Sequence, residues 1–152
     1  MTTDVEIYTD GSCTHDGEGG WAALLLYGEA EREIYGYASN STNNLMELAG
    51  AIQGLASLSR PCRVTLYSDS TYVTKAINEW LASWKARGWR LASGGAVKNL
   101  ESMKRLDELI TLHEVKAVWV KGHDGNVNNE RVDALACQAG GQQITNVKQE
   151  EL

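Results

Sequence analysis

A chain of 152 residues with 43% hydrophobic and 22% charged side chains has the make-up of one globular domain around a single sizeable core. The longest apolar run, Trp21 to Tyr27, is too short to span a bilayer, and the start Met1-Thr2-Thr3-Asp4 lacks the basic and apolar stretches of a signal peptide, so a cytoplasmic protein with no membrane partner is expected. A net charge of −6 argues against indiscriminate nucleic-acid binding. Three scattered cysteines (Cys13, Cys62, Cys137) read as free thiols rather than a zinc site.

The first element runs from Val5 to Cys13. Val5, Ile7 and Thr9 alternate with Glu6, Tyr8 and Asp10, the period of a strand, and Gly11-Ser12 is expected to end it as a turn. Asp10 then stands at the end of a central strand, where α/β sheets place chemistry, although Asp before Gly is also ordinary turn composition. Asp10, Ser12 and Thr14 alternate as calcium-loop ligands do. His15 stands where such a loop needs glycine, which excludes that reading. Two further strands, Trp21 to Tyr27 and Glu33 to Ser39, flank a turn at Gly28 and complete an antiparallel meander.

Asn40 to Asn44 is rich in helix-capping types and leads into a helix with Leu45, Leu48, Ile52 and Leu55 at helical spacing. Glu47 shares a face with the small residues Gly50, Ala51 and Gly54, which let the helix come close to the sheet and carry Glu47 towards the strand ends. Core packing explains the small row equally well, and Glu47 could merely complete a capping box begun at Asn44. A strand from Arg63 to Ser68 is followed by Asp69, either the N-cap of the next helix or a second acid beside Asp10 if the two strands are parallel. That helix spans Thr71 to Leu81 or beyond, glycines at 88, 94 and 95 interrupt the chain, and a further helix covers Leu100 to His113. Val115 to Val120 is the last strand. The loop Lys121 to Gly125 leads to a closing helix with Val132, Leu135, Ala136 and Ala139 on its apolar stripe, beside which Asp133 could be an ordinary exposed residue. The polar tail from Gln142 is expected to fray, giving a domain of residues 1–141 and a tail of 142–152. The order implies an α/β fold with a five-stranded mixed sheet flanked by helices.

Charge is unevenly spread. Lys85, Arg87, Arg90 and Lys98 lie between positions 85 and 100 with no acid among them, interleaved with Trp84 and Trp89 and preceded by Trp80. Aromatic and basic groups on one protrusion suit stacking on sugars and contact with phosphates, although Trp80 fits a core position equally.

Four segments, Thr9-Asp10-Gly11-Ser12, Met46-Glu47-Leu48, Ser68-Asp69-Ser70 with Tyr72-Val73, and Lys121-Gly122-His123 with Gly125, Asn129-Glu130 and Asp133, resemble the signature segments of type 1 ribonuclease H. They stand in that family's order and near its spacing, over about Val5 to Ala139. The resemblance implies a ribonuclease H-like fold and an endonuclease that hydrolyses the RNA strand of RNA–DNA hybrids, leaving 5′-phosphate and 3′-hydroxyl ends. Asp10, Glu47, Asp69 and Asp133 would hold two Mg²⁺ ions, with Mn²⁺ a possible substitute, and His123 would assist proton transfer. A pair of ions roughly 4 Å apart activates water and stabilises the leaving oxygen. Four clustered acids without metal should repel, with some pKa values raised.

By the same resemblance Cys13, Asp16, Asn43 and Asn44 would lie along the RNA strand and Thr42 and Asn99 on a DNA phosphate. Trp80, Trp84, Lys85, Arg87 and Trp89 would form the protrusion that grips the DNA strand. The turn Thr14 to Gly17 is shorter than the family's, Asp16 falls where many relatives carry asparagine, and Asn40 and Leu45 replace basic or polar residues. These departures imply a modest KM penalty and a shallow salt dependence. The alternatives are a hybrid-binding module without catalysis and a DNA-acting nuclease of the same fold. A monomer is expected.

Overall fold

The alternation in the first segment puts Val5, Ile7 and Thr9 on one buried face of strand β1 (Thr3–Cys13), the centre of the sheet in this computed structural model, which describes residues 3–147. Strands β2 (Gly19–Tyr27) and β3 (Ala30–Ala38) follow as antiparallel neighbours. β4 (Cys62–Ser68) lies parallel to β1 on its other side and β5 (Glu114–Trp119) parallel to β4, giving the order β3-β2-β1-β4-β5. The mixed five-stranded sheet expected from the order of elements is therefore present. The turn expected at Gly11-Ser12 is not: Gly11, Ser12 and Cys13 pair with Trp21, Gly20 and Gly19. The strand continues because β2 begins two residues earlier than its apolar run. The reversal falls at Thr14 to Gly17, where Gly17 N–H donates to Thr14 O at 3.0 Å and Gly17 has φ 90°.

Helices α1 (Asn43–Ala56), α2 (Thr71–Lys75), α3 (Leu81–Ala86) and α4 (Leu100–Leu112) bury the main core against one sheet face, with Leu48, Leu55, Leu81, Met103 and Leu106 packed on Ile7, Val64 and Leu66. α5 (Val127–Gln142) covers part of the other face through Val132 and Ala136 on Ala22 and Leu24. The row of small residues does bring α1 close. A side chain on Gly11 would collide with the Met46–Glu47 backbone, and one on Gly50 would lie 2.9 Å from Asp10 O. α5 is seated in the same way, since a Cβ on Gly20 would strike Ala136 O.

The helix expected from Thr71 onward is not uniform. A π-helical turn (Ala76–Trp80) joins α2 to α3, an inserted residue that shifts the facing register by part of a turn. Asn78, within it, donates its amide to Ala117 O at 2.9 Å and accepts from Ala117 N at 3.1 Å, closing the outer edge of β5. The opposite edge is closed likewise. Asn146 Oδ1 accepts from Tyr35 N at 2.8 Å, its backbone N–H donates to Tyr35 O at 3.0 Å, and its amide donates to Glu33 O at 2.9 Å. The tail expected to fray is thus docked on β3 around Asn146, because an asparagine amide can replace a strand's peptide group. Residues 148–152 of that tail lie outside the described ones. No described helix is long and apolar enough to cross a membrane.

Candidate active site

Parallel pairing of β1 with β4 sets two strand ends side by side, and each carries an aspartate: Asp10 near the end of β1 and Asp69 directly after β4. Glu47 arrives from the first turns of α1, where the close approach at Gly11 leaves it against Asp10. One carboxylate oxygen from each of Asp10, Glu47 and Asp69 lies within 4.8 Å of the others. Asp133, on α5, stands outside that group of three but near enough to add to the upward push on the Asp10 carboxyl. Three of the four acids picked from sequence converge, with the fourth beside them.

The environment penalises their charge. Asp10 is only 4% exposed, and burial, then the charges of Glu47 and Asp69, push its carboxyl from 3.8 up to about 10. Burial likewise raises Glu47 from 4.5 to about 8. The two carboxyls take up protons as a pair, and burial is the main cause of both shifts. Gly11 N–H donates to Asp10 Oδ1 at 2.9 Å, whereas Glu47 Oε1 is buried with no hydrogen-bond partner. A buried, orphaned carboxylate oxygen in an all-oxygen donor set fits a hard divalent cation.

The capping roles open to Glu47 and Asp69 fall away. Thr42, not Asn44, caps α1, its Oγ1 accepting from Leu45 N at 3.2 Å, so Glu47 completes no capping box. Ser70 caps α2, accepting from Val73 N at 3.2 Å, which leaves the Asp69 carboxylate free of that duty.

The fifth residue, His123, sits apart. It is exposed at φ 56° in the loop between β5 and α5, and among the described residues no hydrogen bond joins it to the acids. Its neighbour Gly122 does touch the cluster: a Cβ there would lie 2.8 Å from Asp69 Oδ2.

The nucleic-acid residues divide. Cys13 and Asn43 are brought together beside the acids, with Asn43 Oδ1 accepting from Cys13 N at 2.8 Å, and Asn44 is exposed next to them. Asp16 accepts from Thr14 Oγ1 at 2.6 Å, and that bond holds its carboxyl below the usual range, so its charge stays in the turn. Trp80 and Trp84 stack obliquely at 5.5 Å between ring centres and line a cleft of about 400 Å³ with Tyr72, Leu91, Ala96 and Lys98. Asn99, left-handed at φ 56°, donates to Tyr72 Oη at 3.0 Å beside it. Arg87 is exposed.

Lys85 is exposed while making an ion pair, and Trp89 is half-buried. Lys85 Nζ is paired with Asp107 of α4 at 3.1 Å, and Trp89 packs back on the core with Lys104 Nζ 5.9 Å above its ring. Sequence reasoning passed over Tyr72, Gly11 and Gly122 as site residues, although all three stand inside quoted motifs. It also passed over Trp119, whose only mark is its position at a strand end.

The RNase H family model matches residues 2–140. The chain is 55% identical over 135 residues to a ribonuclease H of Halorhodospira halophila, covering 88% of this chain and 91% of that protein. It is 53% identical over 139 residues to a ribonuclease H of Polaromonas sp., covering 90% and 87%. Among solved structures it is similar to a type 1 RNase H with the type 2 active-site motif, at TM-score 0.86 and 29% identity, over 96% of this chain and 76% of that one.

Proposed function

The chain belongs to the RNase H family, and from that premise we propose that its acid cluster is the active centre of an endonuclease that hydrolyses the RNA strand of RNA–DNA hybrids, leaving 5′-phosphate and 3′-hydroxyl ends. The observation that carries this reading is the convergence of Asp10, Glu47 and Asp69 within 4.8 Å, from three separate elements, with Glu47 Oε1 buried and unpaired.

Asp10, Glu47, Asp69 and Asp133 are the residues that would hold Mg²⁺, two ions in this reading, with Mn²⁺ a substitute. When bound, such ions supply an activated water and charge stabilisation on the leaving oxygen. The chain's own groups do the rest. Gly11 N–H and the close helix α1 fix the Asp10 and Glu47 carboxylates in place. His123, whose imidazole can both accept and donate a proton, would assist proton transfer from its exposed loop. Cys13, Asn43 and Asn44 flank the acids where 2′-hydroxyls of an RNA strand can be read. The cleft between Tyr72, Trp80 and Trp84 offers aromatic faces to the DNA strand, and Asn99 and Thr42 would hold a phosphate of that strand. The closed sheet edges support a monomer.

The test is cleavage of a labelled RNA–DNA duplex with Mg²⁺, beside matched RNA–RNA and DNA–DNA duplexes and an Asp69→Asn control. The reading requires loss of the hybrid's RNA strand alone, abolished in the variant. Tight hybrid binding without cleavage would overturn it.

A further inference from the structure

Trp119 ends β5 with half of its surface in solvent (50%), so filling the core does not account for it. Its indole Nε1–H donates to the backbone carbonyl of Asp69 at 3.0 Å. The next residue, Val120, donates its N–H to Ser68 O at 3.0 Å. Gly122 then lies against the Asp69 carboxylate, where a Cβ would come within 2.8 Å of Oδ2. His123 follows at once, in the left-handed region at φ 56°, a conformation a side-chain-bearing residue keeps only when its surroundings hold it there.

The segment from Trp119 to Gly122 therefore meets the end of β4 at three points, two hydrogen bonds and one close approach. His123 follows the last of them directly. We propose that Trp119 is a positioning residue for the reaction: its indole hydrogen bond fixes the root of the histidine loop on Asp69, and Gly122 keeps the loop low enough for His123 to reach the acid cluster. This rests on the reading of that cluster as the active centre. Trp119 itself need touch no substrate; it acts through His123.

Trp119→Phe keeps an aromatic ring and deletes the N–H. In the full-length protein, with Mg²⁺ and the hybrid, kcat should fall about 5- to 10-fold, the worth of one such hydrogen bond, while KM stays within about twofold. In a cycle with His123→Ala, the double variant should lose no more kcat than His123→Ala alone. In the metal-free Trp119→Phe protein, amide exchange at Val120 should speed up about tenfold while the β1–β2 ladder is unchanged. An unchanged kcat in Trp119→Phe, losses that multiply in the double variant, or unchanged exchange at Val120 would each overturn the proposal. Should the wild-type chain cleave no hybrid, the functional reading fails, and exchange at Val120 still decides whether Trp119 anchors the loop.

Discussion

Asp10 and Glu47 sit where ionisation is penalised twice, by burial and by neighbouring carboxylates, Glu47 and Asp69 for Asp10 and Asp69 for Glu47. Asp10→Asn removes the penalty along with a metal-binding oxygen. The metal-free variant should unfold at higher urea concentration, by about 1 to 3 kcal/mol in stability, while cleavage is abolished. A large loss of stability would instead make Asp10 a structural residue. The same shifts set the pH dependence. Both folded pKa values lie above the ordinary 3.8 and 4.5, so the stability these groups contribute is full below about pH 4 and lost as pH rises through 8 and then 10. His113 works in the opposite sense. It is buried, accepts from Cys62 N at 3.1 Å, and burial lowers its pKa, so its contribution is full above 6.5 and lost as pH falls below that value. Thermal unfolding of the metal-free protein should therefore show a midpoint that declines from pH 7 to pH 9, and excess Mg²⁺ should remove that decline. A midpoint indifferent to Mg²⁺ at pH 9 would count against a metal site.

At the scale of elements, the docked tail is the feature with the plainest consequence for stability. Truncation after Gln143 deletes the bonds from Thr145 and Asn146 to β3. Each net hydrogen bond is worth about 0.5 to 1.5 kcal/mol, so loss of these four should cost the truncated chain about 2 to 6 kcal/mol in urea unfolding and leave hybrid cleavage intact. The elements also mark what could be read from the sequence. The alternation of β1, the parallel placement of β4 and the small row on α1 are periodic signals, and each predicts a face or a neighbour. What escaped leaves no periodic trace. Ser70 and Asp69 are adjacent and both are helix-capping residue types, so composition cannot choose between them. A π-helical turn inserts one residue into a helical pattern without changing its chemistry. Asn146 lies in a segment as polar as any unattached tail, and its role depends on an edge strand more than a hundred residues away in the chain. The site was legible because four acids fall inside motifs. The pairing of Lys85 with Asp107 was not, since it joins two helices whose packing no local pattern records.

For the molecule as a whole, a net charge of −6 and a lysine already paired within the protein leave few cations for phosphates. The plot of log KM against log salt should be shallow, corresponding to about three or four phosphate contacts, or a slope no larger than about 3.5. A slope of twice that size, measured by steady-state cleavage from 50 to 200 mM salt, would show a phosphate-binding surface that the exposed basic residues do not supply. The outline of the molecule depends on two side chains of one type. Asn78 and Asn146 each present an amide to an outer strand, donating to a carbonyl and accepting from an N–H. An aspartate can copy only half of that, since a carboxylate accepts but cannot donate, and it would set a negative charge against Ala117 O or Glu33 O. Deamidation, the slow chemical ageing of asparagine, would thus unlatch the borders of the sheet and offer their bare peptide groups to another copy of the chain. Old preparations should clump before their hybrid cleavage declines.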